Sequence, residues 1–208
     1  GQMMDWIGHH GDIAHMAMDW DNTGPLEVKG LRWEPVKERN NLYDAPARYH
    51  FECEYKGGIT MTVANVSDMP EEFKQAAGDR LGTQFIAKDG QWIYVDRGEF
   101  KASNEELLKL RFKDSDFRFR REGNHMRDFL DCVKSRQDPS APVNAGHRSA
   151  SIGHLGKIAC QLGASFKWDP KTETFPTQSL DPRNCELPNA LYAEIGVVRC
   201  GPSVDRSG

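Results

Sequence analysis

Three titratable residues near the start of the chain, Asp5, His9 and Asp12, recur at i, i+4 and i+7. On an α-helix that spacing puts them on one face, within ~40° of one another. A carboxylate one turn from an imidazole favours its protonated form and fixes which ring nitrogen carries the proton. Such a pair suits a general base that takes a hydroxyl proton near neutral pH. The adjacent His10 points about 100° away, toward a different neighbour. Two other readings stay open on these residues alone. The face is a solvated or capping one, or His and carboxylate at i and i+4 bind zinc or another divalent ion. The stretch is not H-E-x-x-H, and no distant ligand stands out.

The remaining histidines carry weaker signals. His147 follows "APVNAG" at the start of a small-residue helix, where a group can face a cleft and a polar or anionic ligand. His154, two turns further on, is expected to be packed, and His125 follows a helix cap. His15 and His50 have no supporting pattern. Arg127 and Arg148 are possible substrate-binding groups.

The elements that must position these residues follow from periodicity. Apolar Trp6, Ile7, Ile13, Met16 and Trp20 predict a partly buried helix from Asp5 to Asp19, broken by "DNTGP". Short runs follow, "LEVKGLRWEP", "ARYHFECEY" and "ITMTVANV". In the second, Tyr49, Phe51, Cys53 and Tyr55 alternate with His50, Glu52 and Glu54, the pattern of a half-covered strand. Gly57–Gly58 and Asp89–Gly90 mark two hairpins. "DMPEEFKQAAGD" reads as a loop with a short helical turn. Ser103 to Glu106 forms a capping-box pattern before one short helix. Asn124 caps another, whose Met126, Phe129, Leu130 and Val133 share a face. A helix from His147 ends at Gly163, and its small residues predict close packing on a neighbour. "FKWDP" is strand-like, and "LPNALYAEIGV" is a candidate last helix. The order predicts an α+β fold, a mostly antiparallel open sheet with helices packed on one face.

The chain has 208 residues and a formal net charge of −4. A sizeable core fits in that length, and no overall basic footprint argues for nucleic acid. The run from Arg111 to Arg121 is interrupted by acidic residues and reads as a solvated strand. No apolar stretch approaches the ~20 residues of a membrane span, and no secretory signal opens the chain. The five cysteines are widely spaced, without C-x-x-C, which predicts free thiols in a reducing compartment. The cytoplasm is the expected location, with the periplasm as the alternative.

"DWIGHHGDIAHMAMDW", "GTQFIAKDGQWIYVDRG", "NHMRDFLDCVKSRQDPSAPV" and "GHRSASIGHLGKIACQLG" together resemble the C-terminal domain of the Gfo/Idh/MocA oxidoreductases, which include glucose–fructose oxidoreductase and inositol dehydrogenase. They occur in the family's order and spacing over residues 5 to about 170. The doubled histidine points to one subgroup. The resemblance implies that His9 and Asp5 match the catalytic His and Asp of the motif D-x-x-x-H-x-x-D. Asp12 matches its further acidic residue, His10 lines the same pocket, and His147 is a pocket candidate. It implies a sugar or polyol substrate, NAD or NADP in the full-length enzyme, and a homo-oligomer formed through the sheet face, to which Tyr49, Phe51, Cys53 and Tyr55 would contribute.

The chain also departs from the family's pattern. There is no strand–GxGxxG–helix unit and no E-K-P, and Gly11 stands where an apolar residue is usual. Residues 1–176 are therefore expected to be an N-terminally incomplete substrate-binding and oligomerisation domain, inactive by itself with no cofactor bound. Residues 177–208 are expected to be a divergent tail, the likeness fading after about Pro176. The reaction is either complete oxidation of a hydroxyl or transient oxidation that cleaves a glycosidic bond. The alternatives are a non-catalytic binding module and a metal-dependent enzyme.

Overall fold

The computed structural model describes residues 1–36, 45–116 and 123–176, and Gly1–Pro176 form one compact unit. The candidate C-terminal helix, the tail, Cys185, Cys200 and the end of the basic run lie outside the described residues.

The first helix does not run uninterrupted. It consists of α1 (Gln2–Trp6), a π-helical turn (Ile7–Gly11) and α2 (Asp12–Ala17). A π turn takes one more residue than an α turn, so everything beyond it is rotated back by roughly 100°. Asp19 then adopts a left-handed φ of 57°, and the Trp20 amide donates to the His15 carbonyl at 2.9 Å. That closure folds Trp20 back onto Tyr55, with ring centroids 3.7 Å apart.

A four-stranded antiparallel sheet has the order β3-β2-β1-β7, built from β1 (Glu27–Glu34), β2 (Arg48–Tyr55), β3 (Ile59–Ala64) and β7 (Ser165–Lys167). Lys56, Gly57 and Gly58 make a three-residue β2–β3 loop, in which both glycines adopt positive φ. A second, three-stranded meander is formed by β4 (Thr83–Ile86), β5 (Trp92–Asp96) and β6 (Glu99–Ala102). All strand pairs among the described residues are antiparallel. The polar excursion before β4 holds a full helix, α3 (Glu71–Ala77), because Phe73, Ala76 and Ala77 pack on Tyr94. The α+β reading stands.

The long helix α6 (Val143–Leu162) lies across the four-stranded sheet. Its start is four residues earlier than the sequence suggests, with Pro142 at the cap. Its small residues allow close approach, as expected. A Cβ on Gly30 would meet the Ala159 carbonyl oxygen at 2.1 Å. Tyr49, Phe51, Cys53 and Tyr55 are buried with Ile152, Leu155, Ala159 and Cys160. The face expected to meet a second subunit is thus covered by the chain's own helix, since four such side chains gain more from α6 than from solvent.

Two further details differ from expectation. The cap of α4 (Glu105–Leu108) is Asn104, whose side chain accepts from the Glu106 amide, while Ser103 Oγ accepts from the Trp92 amide. On α5 (His125–Ser135) Asn124 caps as expected, but Met126, Phe129, Leu130 and Val133 face outward. The inner side of α5 is Asp128 and Cys132, because the Asp128 carboxylate accepts from the Ser140 amide and hydroxyl, each at 2.8 Å. Cys53 and Cys160 are buried free thiols, and the buried Cys132 thiol lies against the Asp128 carboxylate. Among the described residues, no helix is long and apolar enough to cross a membrane.

Candidate functional site

The π turn decides where each candidate residue points. Asp5 precedes it and His9 lies inside it, and both are exposed. Among the described residues, neither side chain makes a hydrogen bond or ion pair, so the expected Asp5–His9 contact is not formed. The His9 ring packs instead beside Trp6, centroids 5.7 Å apart.

Asp12, expected on the same face, is turned away by the extra residue of the π turn. It accepts a hydrogen bond from the buried Ser149 hydroxyl of α6 at 2.6 Å. The same rotation brings His15 toward the side occupied by Ile7. His15 is fully buried, with Nε2 2.7 Å from the Tyr55 hydroxyl and its ring edge-on to Trp20 and Tyr55. Burial lowers its pKa to about 4, Asp12 opposing and Arg148 reinforcing that effect. Uniform helical periodicity conceals this histidine; only the ladder shift reveals it.

His10 is half-buried and stacked on Trp6, centroids 5.2 Å apart and planes at 13°. Arg97, in the turn between β5 and β6, lies over the same indole at 5.3 Å, within reach of a cation–π attraction. The His10 carbonyl accepts from Thr83 Oγ1 at 2.8 Å, the kind of outside partner a shifted helical ladder needs. The meander thus braces the π turn at two points. Desolvation lowers the His10 pKa, with the Asp96 carboxylate opposing and His9 and Arg97 reinforcing it. Asp96 is held by Arg80 through Nε at 2.9 Å and Nη2 at 2.7 Å. Trp6, Thr83, Asp96 and Arg97 carry no motif, so sequence spacing does not single them out.

Beside His10 opens a cavity of about 310 Å³, between the first helical segment, β3, α3 and β4. His9 is not among its lining residues.

His147 lies a turn inside α6. Its Nε2 is 2.7 Å from Glu173 Oε1, and Arg148 donates to the same carboxylate and to the Pro170 carbonyl. These contacts tie α6 to the turn after β7. Arg127 is paired with Asp131 on α5, and His154, expected to be packed, is exposed. Among the described residues, no group of three or more His, Cys, Asp or Glu could hold a metal ion.

A dinucleotide needs a parallel strand–turn–helix unit with a glycine-rich turn against its pyrophosphate. The described residues offer only antiparallel pairs and no such turn, so they do not fit that cofactor. No curated protein and no solved structure matches the chain. A family model described as "Oxidoreductase family, C-terminal alpha/beta domain", of the Gfo/Idh/MocA group, matches residues 100–188, and the family's Rossmann domain is not detected. The match extends past Pro176, where the sequence likeness was expected to fade, while the π turn and its cavity precede the matched stretch. Residues 100–188 are thus similar to the C-terminal domain of the Gfo/Idh/MocA oxidoreductase family, and the described residues have an α+β architecture consistent with it.

Proposed function

We propose that this domain supplies the substrate side of an oxidoreductase acting on a sugar or polyol hydroxyl. The observation that supports it is the start of the chain, where Asp5 and, on the π turn, His9 are exposed beside Trp6 with no side-chain hydrogen bond among the described residues. π turns inside α-helices are often found at functional sites. His9 would take the hydroxyl proton at a ring nitrogen, and Asp5, one turn away, would swing onto the other nitrogen once substrate orders it. Asp12 would act as a positioning residue by pinning α2 to Ser149. His147, paired with Glu173, would contribute through the α6 turn rather than by contact. The family is generally NAD(P)-dependent, and the hydride acceptor would have to be held by groups outside the described residues.

Histidine-ring NMR of the chain with myo-inositol or glucose tests this reading. At about 10 mM, above the usual range of substrate affinities, the His9 ring signals should shift saturably, and Asp5→Asn should weaken that response. Unmoved His9 signals with both ligands would overturn the proposal.

For assembly, the tyrosine face of the sheet is filled by α6. A second copy would therefore sit on the opposite face, which carries His50, Glu52 and Glu54.

A further inference from the structure

We propose that the Arg97 guanidinium, held against Trp6 near His9, is the specificity-determining group of the site, and that the substrate is a sugar acid whose carboxylate it binds. This rests on the sugar reading above and narrows its substrate class.

Trp6 gathers three basic side chains. His10 is stacked on its ring, His9 lies beside it with centroids 5.7 Å apart, and the Arg97 guanidinium is over it at 5.3 Å. The His10 ring nitrogens are closed to solvent and so not open to a ligand. His9 and Arg97 are both exposed. Their distances to the same ring put them at most about 11 Å apart. A hydrogen bond of about 2.8 Å at each end leaves ~5 Å, the reach of a hexuronate from its carboxylate to a ring hydroxyl.

Arg97 is placed by its own hairpin and not by a counter-ion. Arg97 and Gly98 form the two-residue turn between β5 and β6, with Asp96 opposite Glu99 and Gly98 at a φ of 85°. The Asp96 carboxylate accepts from the Arg97 amide, and Arg80 donates to that carboxylate and to the Arg97 carbonyl. Asp96 is thereby committed, and the Arg97 side chain has no hydrogen bond or ion pair among the described residues. A guanidinium laid on an indole is ordered by the ring while its N–H fork stays free, and that fork matches a carboxylate.

Charge favours a carboxylate over a phosphate. One unpaired guanidinium neutralises one negative charge, whereas a phosphate monoester carries about −1.5 to −2 at neutral pH. The exposed Asp5, adjacent to Trp6 in the chain, would repel the excess.

Glucose, glucuronate and glucose 6-phosphate share a ring and differ at carbon 6. Histidine-ring NMR titrations of the chain with all three, at constant ionic strength, test the inference. Glucuronate should half-saturate the His9 response at about one-fifth of the glucose concentration, the upper end for an exposed ion pair. Arg97→Gln should abolish that preference and leave the glucose titration unchanged. Arg97→Lys, which keeps the charge without the fork, should retain part of it. Equal affinity for glucose and glucuronate in wild type, or a preference that survives in Arg97→Gln, would overturn the inference and leave the sugar reading standing. Tighter binding of glucose 6-phosphate than of glucuronate would overturn the assignment to a carboxylate. A His9 ring unmoved by any of the three would overturn the sugar reading and this inference with it.

Discussion

Acidification should weaken this fold through His15, by an amount that the burial of its ring sets. In the unfolded chain the imidazole titrates near its ordinary 6.5, while in the core it does so at about 4. Above pH 6.5 both states hold it neutral and it contributes no pH dependence. Between those values the unfolded chain takes up a proton that the folded protein refuses, so stability falls as pH falls. Below about 4 both states are protonated and the loss is complete. At about 1.36 kcal/mol per pH unit, that window is worth about 3 kcal/mol, a large part of the total stability of an ordinary domain. The groups facing the ring are the Tyr55 hydroxyl, Asp12 and Arg148. Urea unfolding at pH 7 and pH 4, at constant ionic strength, measures the effect in wild type and in His15→Gln. Gln keeps a hydrogen-bonding group for Tyr55 and has nothing to titrate. Asp21, whose pKa burial raises, and His10 titrate in both proteins, so their contributions cancel in the difference. Wild type should lose about 3 kcal/mol more than the variant. Parallel losses, within about 0.5 kcal/mol, would refute the reasoning.

Gly30→Ala should cost about 3 kcal/mol, because its Cβ would lie 2.1 Å from a backbone carbonyl oxygen of α6 that has no room to withdraw; a wild-type urea midpoint would count against the close approach. Light scattering should give twice the mass of the chain, and Glu52→Lys on the open sheet face should shift the balance toward monomer. A monomer at every concentration tested would sink the proposed assembly.

Much of the architecture was legible because its signals are local. Alternation in Tyr49–Tyr55 marks a half-covered strand whatever covers it, and the Gly57–Gly58 pair fixes a hairpin through the φ values that only glycine adopts cheaply. Asn124 and Gly163 end their helices by chemistry within one turn. The apolar stripe of α5 was equally legible, but not its direction. Which side turns inward is settled by Asp128 holding Ser140, a contact that no periodicity encodes.

For the candidate site, the sequence by itself determined which chemistry is present, an Asp and two adjacent histidines on one helical segment with a polar break after it. It also determined that a glycine-rich dinucleotide turn is missing from that segment's surroundings. Only the tertiary structure decided how those groups divide. Packing on α6 and bracing by Thr83 and Arg97 accompany one π turn, and that single extra residue sends Asp12 to Ser149 and His15 into the core. His9 stays outside, and His10 lines the cavity. The physical reason is that a helical repeat read from sequence assumes a constant angle per residue. A ladder shift changes that angle, and contacts from residues more than seventy positions away hold the shift in place.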